Sequence, residues 1–542
     1  DKSPGPDGFT VEFYKTLWPE LSMFLLRSIN YAFKKGSFLN TRTEGNIILI
    51  PKGNKPRKYI KNWRPISLLN VSYKLASTSI ANRIKGMLPH IINEDQTGFV
   101  PGRFIGENIR LIYDLIQYTD LKEIPGMLLL IDFEKAFDTV SHEFISKSLE
   151  FFNFGPGIIK WFRTLYSNAS SRVIINGHLS NAFAINRGCR QGDTLSPYLF
   201  VIAVEILALM IRKNKLIKGI KIDDVNLNVT QYADDTTVIL DGTEKSLEQV
   251  LTTLDTFQQM CGLKINQQKT SVVWIGNRKG NSPICSHLNL DWKLNGKFDM
   301  LGVTFDTDLK NMTQINFTKA FESMQKTIDI WSKRSLTVYG RVTVVKTFIL
   351  AKLNYIGQML PNPSDEFMKK VNECIFKFIW KGKQDRIKRS QMIQEYRFGG
   401  VKVPHVDSHL KALKINWIRR IHHGDQKWVK LFHYITDIQK EDIFEFGINR
   451  WKKQKRQIKN CFWYDVFNSW AMIMHTYTCD PNLEKNEITR NFLWWNDGIM
   501  IGNRSIKYKD WCQKGVRFVN DLLTDNGHFL EYTDFCNLYQ LN

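Results

Sequence analysis

The sequence is short of acid. Its 542 residues carry 53 Asp and Glu against 75 Lys and Arg, a net charge of +22 with histidine neutral. A surplus of that size suits a polyanion, nucleic acid first, because each cation that meets a phosphate releases counterions. A merely basic soluble protein is the bland alternative. Cysteine is sparse: eight residues stand singly, at Cys189, Cys261, Cys285, Cys374, Cys461, Cys479, Cys512 and Cys536, with no C-x-x-C pair. That argues against a disulfide scaffold and for a reducing compartment. Cys461, Cys479, Cys512, Cys536 and His475 lack finger-like spacing, so a zinc site is unsupported. No membrane-length apolar run exists. The most apolar stretch, Leu195 to Ile211, holds Pro197 and Glu205 and falls short of the ~20 residues a span needs. It reads as a buried helix capped by Ser196, with Pro197 in its first turn. Internal repeats, low-complexity tracts and long linkers are absent. The polar, turn-rich start, Asp1 to Gly8, is no signal peptide. With no initiator Met, the chain is expected to be a fragment of a longer protein.

Hydrophobic residues make up 43% of the chain and charged residues 24%. These are ordinary globular values, and the length suggests roughly three or four structural units. Residues 1–125 mix short strands and helices. Asn46 to Pro51 reads as a strand leading into the basic loop Lys52 to Arg57. Helices are expected from Asn70 onward and over Glu107 to Tyr118. From 126 to 310 strands and helices alternate, with a hairpin near Val173 to Gly177, a helix over Leu247 to Met260, and strands near Val272 and Leu301. Residues 311–400 read as helical: Phe317, Phe321, Met324, Ile328 and Trp331 follow a 4-3-4-3 spacing, and a second helix runs from Gly340 to Met359. Gly399-Gly400 breaks the pattern. Residues 401–542 read as helical, basic and rich in tryptophan.

The chemistry is concentrated in Gln231-Tyr232-Ala233-Asp234-Asp235-Thr236. Two adjacent carboxylates sit in an apolar run, between Val229 and Val238-Ile239-Leu240. Charged groups are rarely buried unless paired or bound to metal. A tight turn between two strands that aims carboxylates at a cation explains them. Another apolar strand, Leu128 to Ile131, ends in Asp132. Two strands that bring these acids together build a site for two divalent cations, as in phosphoryl transfer.

Motif order then points to a family. Ile131 to Asp138 (IDFEKAFD), Arg190 to Pro197 (RQGDTLSP) and Tyr232 to Asp235 (YADD) occur in the order of reverse transcriptases. Lys2 to Gly8, Ile50 to Lys52, Asn62 to Ser67, Gln96 to Phe99 and Gly262 to Thr270 resemble the non-LTR retrotransposon branch. The match looks like the second open reading frame product of a long interspersed element, without its endonuclease. It covers about 1–305 closely. The region to about 420 matches more loosely, with Tyr396 to Val401 as landmark. The resemblance implies an α+β right-hand polymerase. It has an N-terminal extension and fingers (1–125), a palm with an antiparallel sheet (126–310), a helical thumb (311–400) and a mainly helical C-terminal region (401–542).

The resemblance also assigns roles. Asp132 and Asp234 would hold two Mg2+ ions, for which Mn2+ can substitute, with Asp235 as third acid and the Phe133 carbonyl on the nucleotide-side ion. Few protein ligands suffice, since Mg2+ takes carboxylates plus substrate phosphates. Phe137 would pack under the sugar and exclude a ribose 2′-hydroxyl, or else be a core ring. Asp138 caps or pairs locally. Gln191 and Gly192 would support the incoming nucleotide. Lys52 and Arg64 would clamp its triphosphate, Arg bidentately. Lys269, with Lys264 as fallback, would protonate the pyrophosphate or contact a phosphate. Arg190, and on later helices Lys333, Arg334, Arg341, Lys388 and Arg389, are candidate nucleic-acid contacts; solvated faces are the alternative. Lys2 to Gly8 would press near the template. Basic groups beside aromatics, as in Trp451 to Arg456, suit a hybrid duplex or structured RNA.

The expected activity is RNA-directed DNA synthesis from a DNA 3′-hydroxyl, as in target-primed reverse transcription. The expected partners are an RNA template, a DNA primer or target and their hybrid, and deoxynucleoside triphosphates, without a membrane. The resemblance places synthesis in the nucleus after a cytoplasmic ribonucleoprotein stage. No ribonuclease H signature follows residue 310. A non-catalytic RNA-binding scaffold and a group II intron-like maturase are the other readings.

Overall fold

A computed structural model describes residues 3–53, 55–285, 290–445, 447–480, 484–502 and 504–541. Lys2 lies outside these residues. The chain divides into two compact units, Asp1–Asn108 with Thr119–Leu301, and Ile109–Tyr118 with Gly302–Asn542. Both strands and helices build the first; helices dominate the second.

The first unit is organised about the strand Pro125–Ile131. Met127, Leu128, Leu129 and Ile131 are all buried, which explains an apolar run without alternation: both faces of this strand are covered. It lies at the centre of a five-stranded sheet in the order Asp291–Trp292, Ser271–Gly276, Pro125–Ile131, Asp235–Leu240, Val229–Tyr232. All pairings are antiparallel except the first. The helix Ser196–Lys213 packs into the same core, with Leu199 to Val204 buried without a gap. Ser196 is its first residue and not its cap; the Ser196 hydroxyl meets Tyr166 OH at 3.2 Å instead. A second sheet pairs Glu44–Pro51 with Trp63–Leu69 antiparallel and with Ser170–Ile175 parallel. The hairpin after Ser170–Ile175 turns at Asn176-Gly177, both at positive φ (51° and 83°), as a tight two-residue turn requires. In place of one strand near Leu301 there are two, Lys297–Met300 and Val303–Asp306, with Leu301 itself at φ 49°.

In the second unit the expected seam is buried at Phe317, Phe321 and Met324 on the helix Met312–Ser332. The next helical run, Val338–Met359, is interrupted by a π-turn at Val345–Ile349. Trp451, the ring of the basic cluster expected beside nucleic acid, is a core residue, and so are other tryptophans of this unit. Trp417, Trp428 and Trp463 pack on one another at 5.4–6.4 Å, and Trp451 is buried, donating to Asn468 at 2.9 Å.

The last carbonyls of Ala351–Met359 have no intrahelical donor, as at any helix end. Three buried side chains supply one. Lys414 donates to the carbonyls of Gly357 and Leu360, Trp417 Nε1 to that of Gln358 (2.8 Å) and Arg110 to that of Met359 (3.3 Å). Arg110 is itself neutralised by Asp114, which accepts from Trp463 Nε1 at 3.0 Å. Burial lowers the Lys414 pKa from 10.5 to about 7. Between those values the unfolded chain binds the extra proton, so this lysine makes stability rise with pH above 7. Lys414→Met is expected to remove that rise and, by leaving carbonyls unpaired, to cost about 1–3 kcal/mol at pH 7. Urea titrations at pH 7 and 9 measure both.

Candidate active site

The sheet register assembles the site. On one side of the central strand Thr236 pairs with Ile131, and on the other Ser271 pairs with Leu130. One step beyond the first pair, Asp235 falls opposite Asp132. Two steps past the second, Lys269 does. The lysine Nζ lies 3.1 Å from Asp132 Oδ2, and Thr270 Oγ1 accepts the Asp132 N–H at 3.3 Å. Asp234 enters through the turn Tyr232-Ala233-Asp234-Asp235 that joins the neighbouring strands.

Three carboxylates at one sheet end affect one another. Partial desolvation raises the Asp234 pKa, and Asp132 adds to the rise. Asp235 opens to solvent on one side and is crowded on the others. That crowding, followed by the charges of Asp234 and Asp132, pushes it up to about 6. Such mutual repulsion is the condition that a bound cation relieves. The donors are hard oxygens, as Mg2+ requires. The Phe133 carbonyl is also available: the ladder bonds beside it run from Glu134 N–H to Lys264 and from Asn266 N–H to Asp132, so Phe133 points away from its strand partner Ile265.

Gln191 and Gly192 lie on the loop that precedes the helix Ser196–Lys213. Gln191 O accepts from Ser67 N–H at 2.7 Å, and Gln191 Nε2 donates to Asp138 at 3.1 Å. Asp138 therefore pairs locally, as its position suggested. Gly192 sits at φ 118°, and a Cβ there would stand 2.6 Å from Ser67 O. Phe137 is half-buried. It stacks on Phe200 (4.1 Å, 22°) and meets the edge of Phe99 (6.3 Å, 85°). The Lys52 pKa is lowered by burial first and then by Arg64 and Lys269, which places these three cations within electrostatic reach of one another.

Two expected contacts are corrected. Arg190 is 4% exposed; it donates to Thr43 O at 2.6 Å and lies over the Tyr73 ring. It ties the 188–193 loop to the chain before Glu44–Pro51, and no strand can reach it there. Arg341 is 3% exposed and donates to Phe378 O at 2.9 Å, so it too is a packing residue. Lys333, Arg334, Lys388 and Arg389 are exposed, with Arg389 paired to Asp385 at 2.6 Å. A basic residue beside a motif gives no sign of whether a carbonyl or a phosphate receives it.

Gln96, within the motif Gln96 to Phe99, carries a role that the motif by itself did not assign. Its Oε1 accepts from the N–H groups of Ala233 and Gly98, both at 2.8 Å, and its Nε2 donates to Ala233 O at 3.2 Å. Ala233 has φ 56°, a costly conformation for a side-chain-bearing residue, and this fully buried amide holds it there. Gly98 must be glycine, since a Cβ would lie 2.3 Å from Ala233 N. The signal was a glutamine two residues before a glycine in a segment with no helical or strand period.

With this geometry in view, the comparisons are specific. Residues 50–305 match the family described as reverse transcriptase (RNA-dependent DNA polymerase). Residues 50–305 therefore carry a domain of that family. The chain is 30% identical over 538 residues to the uncharacterized 149 kDa protein of transposon TX1 of Xenopus laevis, covering 96% of this chain and 40% of that protein. It is 27% identical over 275 residues to the retrovirus-related Pol polyprotein from type-2 retrotransposable element R2DM of Drosophila melanogaster (50% of this chain, 25% of that one). The probable RNA-directed DNA polymerase from transposon BS of the same fly is 26% identical over 406 residues (69% and 43%). The chain spans less than half the length of each. These relatives agree with the non-LTR retrotransposon kinship read from the motifs. The five-stranded sheet lies within the residues that match this family.

Two predictions follow from the acids and their clasp. A folded acid with a raised pKa gives stability that is present at low pH and lost as pH rises through the folded value. In EDTA, Asp234 and Asp235 are expected to lower the melting temperature between pH 4 and 7. Asp235→Asn should remove part of that fall, on the order of 2 °C, and Mg2+ should reverse it; differential scanning calorimetry with and without the metal checks this. Gln96→Met keeps the volume and loses all three bonds. It should raise the Mg2+ concentration needed for half-maximal primer extension severalfold while leaving the circular dichroism spectrum unchanged.

Proposed function

We propose that this chain is the RNA-directed DNA polymerase of a non-LTR retrotransposon, extending a DNA 3′-hydroxyl on an RNA template in target-primed reverse transcription. The observation that carries the reading is the row Asp235, Asp132 and Lys269 at one sheet end, with Asp234 beside it. Two divalent ions, Mg2+ or Mn2+ as substitute, would supply activation of the 3′-hydroxyl and charge neutralisation at the transferred phosphoryl group. Asp132, Asp234 and the Phe133 carbonyl would hold them, with Asp235 in support.

The remaining residues position substrate. Lys52 and Arg64 meet the triphosphate. Phe137, held by Phe200 and Phe99, would clash with a ribose 2′-hydroxyl, so deoxynucleotides are selected. The Gln191-Gly192 loop supports the base pair. Lys269 exchanges Asp132 for the pyrophosphate and supplies its proton. The partners are an RNA template, a DNA primer and their hybrid, and synthesis takes place in the nucleus after a cytoplasmic ribonucleoprotein stage. A scaffold that only bound RNA would gain nothing from three carboxylates that destabilise one another.

Primer extension on an RNA template with deoxynucleotides and Mg2+ tests the reading. Asp234→Ala is expected to lower extension by about 10³ or more, at least the loss from removing one transition-state stabiliser, while RNA affinity stays within about twofold. Substantial extension by that variant would overturn the assignment.

A further inference from the structure

The landmark Tyr396-Arg397-Phe398-Gly399-Gly400-Val401 has no part in the chemistry above, and its place in the second unit is unusual. Its glycines are structural. Gly399 takes φ 75°, and a Cβ on Gly400 would stand 2.0 Å from Gln394 O. The turn they make is laced to itself. Gly400 N–H reaches Glu395 O at 3.0 Å, Val401 and Val403 N–H both reach Met392 O at 3.2 and 3.0 Å, and Lys402 N–H reaches Gln394 O at 3.0 Å. That lacing holds Lys402 at φ 56°, a left-handed conformation that costs free energy for lysine.

What this rigid turn displays is aromatic. Tyr396 is 56% exposed, and Tyr339, from the start of the helix Val338–Val344, is 60% exposed. Their rings lie 6.2 Å apart at 41°. Lys402 Nζ sits 5.4 Å from the centre of the Tyr396 ring. Lys346, exposed and seven residues beyond Tyr339, is close enough to Lys402 for the two charges to repel. Phe398 is exposed too, with Arg397 over its ring at 4.8 Å. The one acid in the patch, Glu395, reaches Arg397 at 3.1 Å and Lys402 at 3.9 Å. Lys346 itself lies in the π-turn Val345–Ile349, an irregularity frequent at functional sites.

Exposed rings held by a strained turn contribute little to the core. Rings interleaved with cations are the means by which proteins bind single strands: bases stack on the aromatic faces and phosphates meet the cations. A duplex offers no free base faces and an acidic protein would not need two open tyrosine rings. We propose that Tyr339 and Tyr396, with Lys346 and Lys402, form a stacking platform for single-stranded RNA, the unpaired part of the template strand. The proposal rests on the polymerase reading for the identity of that strand and on the patch itself for its chemistry.

Fluorescence anisotropy with the full chain and a labelled 12-nucleotide single-stranded RNA, beside the same sequence as an RNA–DNA duplex, tests it. The double variant Tyr339→Ala/Tyr396→Ala is expected to weaken single-strand binding tenfold or more and duplex binding less than twofold. Tyr339→Phe/Tyr396→Phe, which keeps the rings, should bind as the wild type does. Lys402→Gly preserves the left-handed backbone and should lower the salt dependence by about one phosphate contact. Single-strand affinity unchanged in the alanine pair, or an equal loss on duplex, would overturn the platform. A DNA strand of the same sequence bound tenfold more tightly than RNA would overturn the choice of RNA. Extension by wild-type protein in parallel separates the two readings: its absence counts against the polymerase, its presence with an indifferent platform against this inference alone.

Discussion

Everything in the catalytic unit depends on the register of three antiparallel strands at one end of a buried sheet. The side-chain period of a strand is two, so a slip of one residue would turn Asp235 or Lys269 to the opposite face from Asp132. Burial on both faces of Pro125–Ile131 prevents the slip, because any shift would drag leucines out of the core. The site is thus held by apolar packing some distance from any charge. The acids themselves work against the fold, as the raised pKa values of Asp234 and Asp235 show.

The same economy of parts governs the loops. The segment 96–99 touches both halves of the site: Gln96 clasps the Ala233 turn and Phe99 meets the ring of Phe137. The 188–192 loop is bonded to Phe137 and Asp138 on one side and to Ser67 on the other. Arg190 anchors it from beneath. Glycines at 98 and 192 are needed because backbone approaches backbone at those points, closer than any side chain permits. In the second unit the corresponding device is a helix end closed by Lys414, Trp417 and Arg110, buried donors that replace the water a surface helix would use.

Much of this was legible in advance. The long helices were visible from their period, as was the hairpin at Asn176-Gly177 from its turn residues. The strand ending at Asp132 was visible as an unbroken apolar run, and the paired acids were conspicuous because charge in such surroundings is expensive. What misled was local chemistry with two outlets. Ser196 looked like a cap and became the first residue of its helix. Arg190 and Arg341 looked like strand contacts and instead pair with main-chain carbonyls in the interior. Trp451 looked like a partner of its basic neighbours and instead is buried against Tyr464.

The sequence by itself determined the chemistry and the elements: which residues are acids, where apolar runs begin and end, and where glycine permits a turn. Only the tertiary structure decided which of these meet. Register, the Gln96 clasp, the burial of two arginines and the facing of Tyr339 with Tyr396 all join residues tens of positions or more apart. Such contacts leave no period in a single sequence, because a hydrogen bond or a ring contact depends on distance in space and not on spacing along the chain.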